Sequence, residues 1–145
     1  MKNNNFSANK NGFTLLELLV VLVILGLLIS IAAPNLFEQL GAAKRDTAAI
    51  QIVNLGASLD LYRLNVGRYP SQDDGLNAMV KAPADAGSQW KGPYVKKEQS
   101  LKDPWGNLYV YTFPGKHNKK GYDLYSLGAD GQEGGEGDNQ DITNW

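Results

Sequence analysis

Apolar residues divide the chain into a wholly apolar segment near its N-terminus and a mixed remainder. Residues 1–12 are polar, with Lys2, Lys10 and no acid, whereas nearly every side chain from Phe13 to Ala33 is apolar and the single charge there is Glu17. At about 1.5 Å of rise per residue, a helix over this segment crosses a hydrocarbon core about 30 Å thick. Basic residues before the segment favour a cytoplasmic N-terminus. The sequence therefore predicts one membrane helix.

A second helical pattern follows the apolar segment. Pro34 and Gly41 interrupt it, and we expect a kink or local unwinding at Pro34, because proline lacks a backbone donor and clashes with the preceding turn. The pattern then places one apolar face at steps of three and four residues, formed by Ile52, Leu55, Leu59 and Tyr62. Gly67 and Pro70 end the helix. We expect one long helix whose second half packs against a small domain.

The rest of the chain predicts loops and a hairpin. Glycine and proline recur over residues 67–107, with a short helix over Leu76–Lys81 and a turn at Asp103-Pro104-Trp105-Gly106. Two runs rich in tyrosine and aliphatic residues, Leu108–Phe113 and Tyr122–Leu127, indicate antiparallel strands joined by a long turn. The fold class is therefore α+β, a long N-terminal helix against a small antiparallel sheet.

Composition excludes several kinds of chemistry. The chain has no cysteine, which rules out disulfides, thiolate zinc sites and a cysteine nucleophile. Its only histidine, His117, lies in the predicted turn without a carboxylate or nucleophile beside it in the sequence, and no Gly-x-Ser-x-Gly motif is present. A membrane-tethered enzyme is the alternative to a structural protein, and we expect no enzyme. The net charge of −1 gives no basic field for nucleic acid.

The C-terminal segment is acidic and rich in glycine. After Lys120 there is no basic residue, and the six acids are Asp123, Asp130, Glu133, Glu136, Asp138 and Asp141. Five glycines lie between Gly128 and Gly137. Glycine lets a backbone fold tightly, and carboxylate and carbonyl oxygens at irregular spacing suit calcium better than magnesium, which demands an octahedron. The alternative is a flexible acidic loop that serves solubility.

Glu17 requires an explanation, because a carboxylate costs about 2.5–3.5 kcal/mol at mid-bilayer and less near the membrane edge. Glu17 is five residues into the run, so an incidental residue at the membrane edge is one alternative. A secretory signal peptide has an apolar core of about 7–15 residues, shorter than this run, and a plain signal anchor does not account for the acid. The stretch Gly12-Phe13-Thr14-Leu15-Leu16-Glu17 resembles the cleavage motif of prepilins and pseudopilins. The resemblance implies cleavage after Gly12 by a prepilin peptidase, N-methylation of Phe13, and an assembly role for Glu17.

Cleavage before the apolar segment would leave the helix attached to the mature protein. The domains implied are a leader over 1–12, a transmembrane and assembly helix over 13–34, and a periplasmic domain over 35–145. Removal of the leader exposes the α-ammonium of Phe13, which in a filament can meet Glu17 of a neighbouring subunit. A pair of this kind specifies axial register more than it adds stability.

A more specific resemblance extends along nearly the whole chain. Residues 67–70 (GRYP), 103–106 (DPWG), 125–131 (YSLGADG) and 141–145 (DITNW) resemble the major pseudopilins of the type II secretion system. That family has the type IV pilin-like fold and forms a homo-oligomeric helical filament, the periplasmic pseudopilus, which helps export folded proteins. Its partners are minor pseudopilins, the prepilin peptidase, an inner-membrane assembly platform and membrane lipid. A major type IV pilin and a DNA-uptake pseudopilin are the alternatives.

The resemblance also implies a structural calcium ion in the acidic segment. It assigns the Asp130 side chain as the firmest ligand, followed by the main-chain carbonyls of Leu127 and Gln132. Asp138 and Asp141 compete for the later carboxylate. The ion would stabilise a cysteine-free loop, adding its binding energy to the folding energy.

Overall fold

The structure, a computed structural model, describes residues 12–145. Its main element is the helix α1, Leu15–Val66, which includes Pro34 and continues through Gly41. The unwinding considered at Pro34 is therefore absent. The cost of one missing backbone donor is local, and strong helix formers such as Ala33 and Leu36 lie on either side of the proline.

The chain forms two compact units, the first ending at Glu38 and the second covering Gln39–Trp145. In the first unit, the apolar side chains of residues 13–32 are exposed. By length and composition, α1 is able to cross a membrane, which agrees with the membrane helix predicted for Phe13–Ala33.

The second unit is built on the C-terminal half of α1. The predicted stripe of Ile52, Leu55, Leu59 and Tyr62 is buried, and the core it forms also contains Leu76, Met79, Tyr109, Tyr111 and Leu124. Removal of this apolar surface from water is the main stabilising contribution. The helix ends where Gly67 adopts a φ of +88°, a conformation that favours glycine, and the Gly67 N–H donates to the Arg63 carbonyl.

A three-stranded antiparallel sheet completes this unit. Its strands are β1, Val110–Thr112, β2, Asp123–Ser126, and β3, Ile142–Thr143, in the order β1-β2-β3. Val110 pairs with Tyr125 and Ser126 with Ile142. The predicted hairpin and the α+β class are confirmed. Short 3₁₀ helices cover Gly75–Met79, Gly87–Gln89, Glu98–Leu101 and Gly137–Asn139, and the first of them overlaps the short helix predicted over Leu76–Lys81.

Candidate functional site

The processing motif lies at the start of α1. Thr14 immediately precedes the helix, and both its N–H and its hydroxyl donate to Glu17 Oε2, at 2.8 and 3.1 Å, while the Glu17 N–H donates to the Thr14 hydroxyl at 3.2 Å. This reciprocal arrangement is a capping box, and its Thr-x-x-Glu spacing is the signal by which the sequence alone could have revealed it. It begins the helix directly after Gly12 and Phe13, which are non-helical and exposed.

Of the predicted cleavage, methylation and assembly residues, Gly12, Phe13 and Glu17 therefore lie together at an accessible junction. Glu17 Oε1 makes no hydrogen bond within residues 12–145, so one carboxylate oxygen caps the helix and the other faces outward. The remainder of the predicted leader lies outside the described residues.

The acidic loop connects β2 to β3 over residues 127–141. All five of its glycines have positive φ, between 59° and 93°, at Gly128, Gly131, Gly134, Gly135 and Gly137. At Gly128 and Gly135 a Cβ would come within 3 Å of the Asn139 backbone. Glycine at these two positions therefore allows the loop to fold back on itself.

Most of the predicted calcium ligands lie within this loop with oxygens available. Asp130 Oδ1 accepts from the Gln132 N–H at 3.1 Å, and Asp141 Oδ2 accepts from the Gly134 N–H at 2.9 Å. Asp141 Oδ1 is buried without a hydrogen-bond partner in residues 12–145. The carbonyl oxygens of Leu127 and Gln132 also accept no hydrogen bond there. Because a buried carboxylate oxygen without a partner is costly, a cation beside Asp141 fits this environment.

Asp138, the competing carboxylate, is engaged differently. Its Oδ1 accepts a hydrogen bond from the Arg45 guanidinium at 2.5 Å, and its carbonyl accepts from the Ala129 N–H at 2.8 Å. The carboxylate lies over Gly41, where a Cβ would collide with it. Asp138 thus connects the acidic loop to α1.

Side chains alone do not form a metal cluster in the described residues, since no group of three acidic or histidine side chains is arranged to hold an ion. The predicted set draws two of its oxygens from main-chain carbonyls. The donors present are oxygens, so the type of donor fits calcium, which prefers oxygen ligands.

The hairpin turn is held by a buried acid at the start of β2, a role that sequence reasoning missed. Asp123 is 2% exposed, and its carboxylate accepts the N–H groups of Lys116, His117 and Asn118 at 2.7, 2.9 and 2.8 Å. Burial opposes ionisation of Asp123, but these hydrogen bonds outweigh it, so its pKa lies below the ordinary value. Asp123 therefore fixes the turn.

His117 is held by neighbours that are distant in the sequence. Its Nδ1 lies 3.3 Å from Asp123 Oδ2, and its ring stacks on Trp145 with centroids 4.1 Å apart. A cavity of about 350 Å³ beside it is lined by Tyr125, Glu133 and Asp141, among others. The carboxylate absent from its sequence neighbourhood is thus supplied across the hairpin, and the contacts made by the ring hold the C-terminus.

The predicted turn over residues 103–106 is confirmed, since the Gly106 N–H donates to the Asp103 carbonyl at 3.0 Å. The Asp103 side chain is 5% exposed and accepts from the N–H groups of Trp105 and Asn107 and from the Ser126 hydroxyl. Aspartate at the first position of such a turn is the signal for this role. The turn is thereby tied to the end of β2.

Comparison with known proteins first defines the class. Residues 7–33 match the family model of the prokaryotic N-terminal methylation motif, which covers the capped start of α1 and its apolar segment. This places the chain among pilin-like subunits, as the motif predicted.

The particular family follows from the remainder of the chain. Residues 35–145 match the family model of protein G of the type II secretion system. The chain belongs to the type II secretion system protein G family.

Similar proteins agree along nearly the full length. The chain is 46% identical to the type II secretion system core protein G of Vibrio cholerae, over 94% of this chain and 92% of the relative. The identity is 45% to the core protein G of Pseudomonas aeruginosa, over 94% and 95% of the two chains, and 43% to that of Escherichia coli K12, over 94% and 91%.

A solved structure shares the fold. The crystal structure of the major pseudopilin from the type 2 secretion system of enterohaemorrhagic Escherichia coli matches with a TM-score of 0.60 and 34% identity, covering 77% of this chain and 95% of that one. The prediction of a long N-terminal helix and a small antiparallel sheet in a pseudopilin is confirmed.

Proposed function

We propose that this chain is the major pseudopilin of a type II secretion system, which polymerises into the periplasmic pseudopilus and drives export of folded proteins across the outer membrane. One observation carries the proposal. The N-terminal methylation motif matches residues 7–33, and the family model of protein G matches residues 35–145 of the same chain. A subunit of this kind is structural, and its partners are further components of the secretion system.

Processing at Gly12–Phe13 prepares the subunit for assembly. The peptide bond is exposed and lies just before the capping box, where a prepilin peptidase can reach it without unwinding α1. After cleavage and N-methylation of Phe13, α1 remains in the inner membrane as a single span. The N-terminus is cytoplasmic, the C-terminal domain is periplasmic, and the subunit enters the pseudopilus from this position.

Assembly requires that each new subunit take a defined axial position. The α-ammonium of Phe13 provides a cation, and Glu17, whose Oε1 makes no hydrogen bond within residues 12–145, provides the matching anion on a neighbour. In a low-dielectric helix bundle an unpaired charge is strongly unfavourable, so the pair selects one register.

The experiment compares Glu17→Ala with Thr14→Ala in the full chain, expressed with its secretion system. We expect Glu17→Ala to be cleaved at Gly12 but to form no filament and support no secretion. Thr14→Ala removes the cap hydroxyl, at about 1 kcal/mol of helix stability, but keeps the carboxylate, so assembly should persist. Normal filaments from Glu17→Ala would contradict the role of the acid.

A structural calcium ion in the acidic loop is the second part of the proposal. Its ligands would be the Asp130 and Asp141 side chains and the Leu127 and Gln132 carbonyls. The unpaired, buried Asp141 Oδ1 supports this choice, whereas Asp138 is occupied by Arg45. The ion would supply positive charge that offsets the negative charge of the two carboxylates and stabilises the loop.

A further inference from the structure

The helix α1 carries a second apolar face within the C-terminal unit. Four large side chains on the side away from the core are exposed by 61%, 71%, 49% and 80%: Ile50, Val53, Leu61 and Leu64. We call these four residues the outer stripe. They follow steps of three to eight residues that keep them on one helix face. A surface helix ordinarily presents polar residues there, and a continuous exposed apolar patch marks an interaction site.

A groove of about 540 Å³ lies directly beside the outer stripe. Its helix side includes the small residues Ala49, Gly56 and Ala57 together with Val53 of the outer stripe and the acidic Asp60. Its other side is formed by Tyr122, Thr143 and Asn144. We call it the small-residue groove. Large protruding side chains and a hollow that accepts such side chains are therefore neighbours on one surface.

We propose that the outer stripe of one subunit packs into the small-residue groove of the next subunit in the pseudopilus. The inference rests on the proposed function and specifies one of its contacts. Because the two surfaces share only Val53 and otherwise consist of different residues of the same chain, the contact is heterologous. Heterologous contacts that do not close into a ring generate open helical filaments, whereas a self-complementary patch generates a closed dimer.

The size of the surface also favours a filament neighbour over a soluble partner. A stable dimer needs about 800 Å² per partner, and the outer stripe contributes only four side chains. Such a contact is weak alone and becomes effective when the subunits are also held side by side by their membrane segments, which raises the effective concentration. Membrane-anchored copies inserted in one direction present the same helix face in parallel.

The absence of cysteine allows a direct test in the full chain. The double variant Ala49→Cys with Leu61→Cys places one thiol in the groove and one on the stripe. These positions are about 18 Å apart along one helix, which exceeds the reach of a short bis-maleimide. Any cross-link between the two thiols must therefore join different copies of the chain. We expect a ladder of trimers and larger products in membranes that also express the secretion system, and no ladder from either single variant.

The matched control is Lys81→Cys with Gln99→Cys, two exposed positions that belong to neither surface, which should give no ladder. Dimers from Leu61→Cys alone would show a self-complementary contact and overturn the proposal, as would a product whose mass identifies a different protein. The exposed pair Leu61→Gln with Leu64→Gln should lose filament growth while keeping its membrane level and melting temperature. Normal growth of that variant would also overturn the proposal.

Filament formation by the unmodified chain distinguishes an error in the proposed contact from an error in the proposed function. If that chain forms filaments but the Ala49→Cys and Leu61→Cys variant gives no ladder, only the stripe-into-groove contact is wrong. If the unmodified chain forms no filament alongside its secretion system, the proposed function itself fails.

Discussion

At the scale of single residues, Gly41 determines whether the acidic loop can reach α1. A Cβ at Gly41 would collide with the Asp138 carboxylate, which bonds Arg45. Alanine also favours a helix over glycine by about 0.8–1 kcal/mol, so Gly41→Ala combines two opposing effects. A double-mutant cycle with Asp138→Ala, measured by urea unfolding, should separate them. We expect Gly41→Ala to stabilise the Asp138→Ala variant more than it stabilises the unmodified chain, with a coupling energy of about 0.5–3 kcal/mol. Additive effects of the two substitutions would contradict the collision.

Asp123 gives a second prediction at this scale, concerning pH. Its folded pKa is lowered, so its contribution to stability is present above its unfolded pKa of about 3.9 and is lost as pH falls through the folded pKa. Asp123→Asn should cost about 1–3 kcal/mol at neutral pH and flatten the acid limb of the stability curve. Asp46→Asn, at an exposed acid, is the control and should leave the curve unchanged. An unaltered acid limb in Asp123→Asn would refute the assignment.

At the scale of elements, sequence pattern predicted the long helix and the hairpin but not the third strand. The stripe containing Leu59 repeats over several turns, which makes a helix face recognisable. Strand β3 has two residues, too few for an alternating pattern, and exists because the loop returns Ile142 to the edge of β2. At Pro34 a local rule suggested unwinding, and the helix-forming residues around it prevailed.

The two faces of α1 lead to a matched pair of substitutions. Leu59 is fully buried, so Leu59→Ala should cost about 2–5 kcal/mol through lost contacts and a residual cavity. Leu64 is 80% exposed, and Leu64→Ala should change the free energy of unfolding by less than about 0.5 kcal/mol. Chemical denaturation of the full chain in detergent measures both. Equal losses would mean that the outer stripe is part of the monomer's own core.

At the scale of the whole molecule, the processing motif was predictable because its residues are contiguous. The acidic loop was predictable as a segment, but its contacts were not. Arg45 and Asp138 are 93 positions apart in the sequence, and no local pattern links them. The same holds for His117 and Trp145, which stack only because the hairpin turn and the C-terminus meet. Composition thus identifies a region, and tertiary contacts decide which oxygens remain available.

Calcium binding is the prediction that depends on which oxygens of the acidic loop remain available to an ion. A ligand at 100 times its Kd adds about 2.7 kcal/mol to the folded state, which in a domain of this size raises the melting temperature by at least about 4–8 °C. We expect such a rise for the full chain in detergent with calcium relative to chelator, and a much smaller one with magnesium, because the irregular loop offers no octahedron.

Variants of the loop separate a bound ion from a general charge effect. Asp130→Ala and Asp141→Asn should abolish the calcium-dependent rise, because each removes a carboxylate assigned to the ion. Asp138→Asn should weaken the contact with Arg45 and lower stability in both conditions while keeping the rise. Glu136→Gln, at an exposed acid outside the assigned set, should behave like the unmodified chain.

If Asp141→Asn retained the full rise and Asp138→Asn lost it, the later ligand would be Asp138, and calcium would have to displace Arg45 to bind. If no variant and no metal changed the melting temperature, hydrogen bonds alone would hold the loop, and the buried Asp141 oxygen would need another partner.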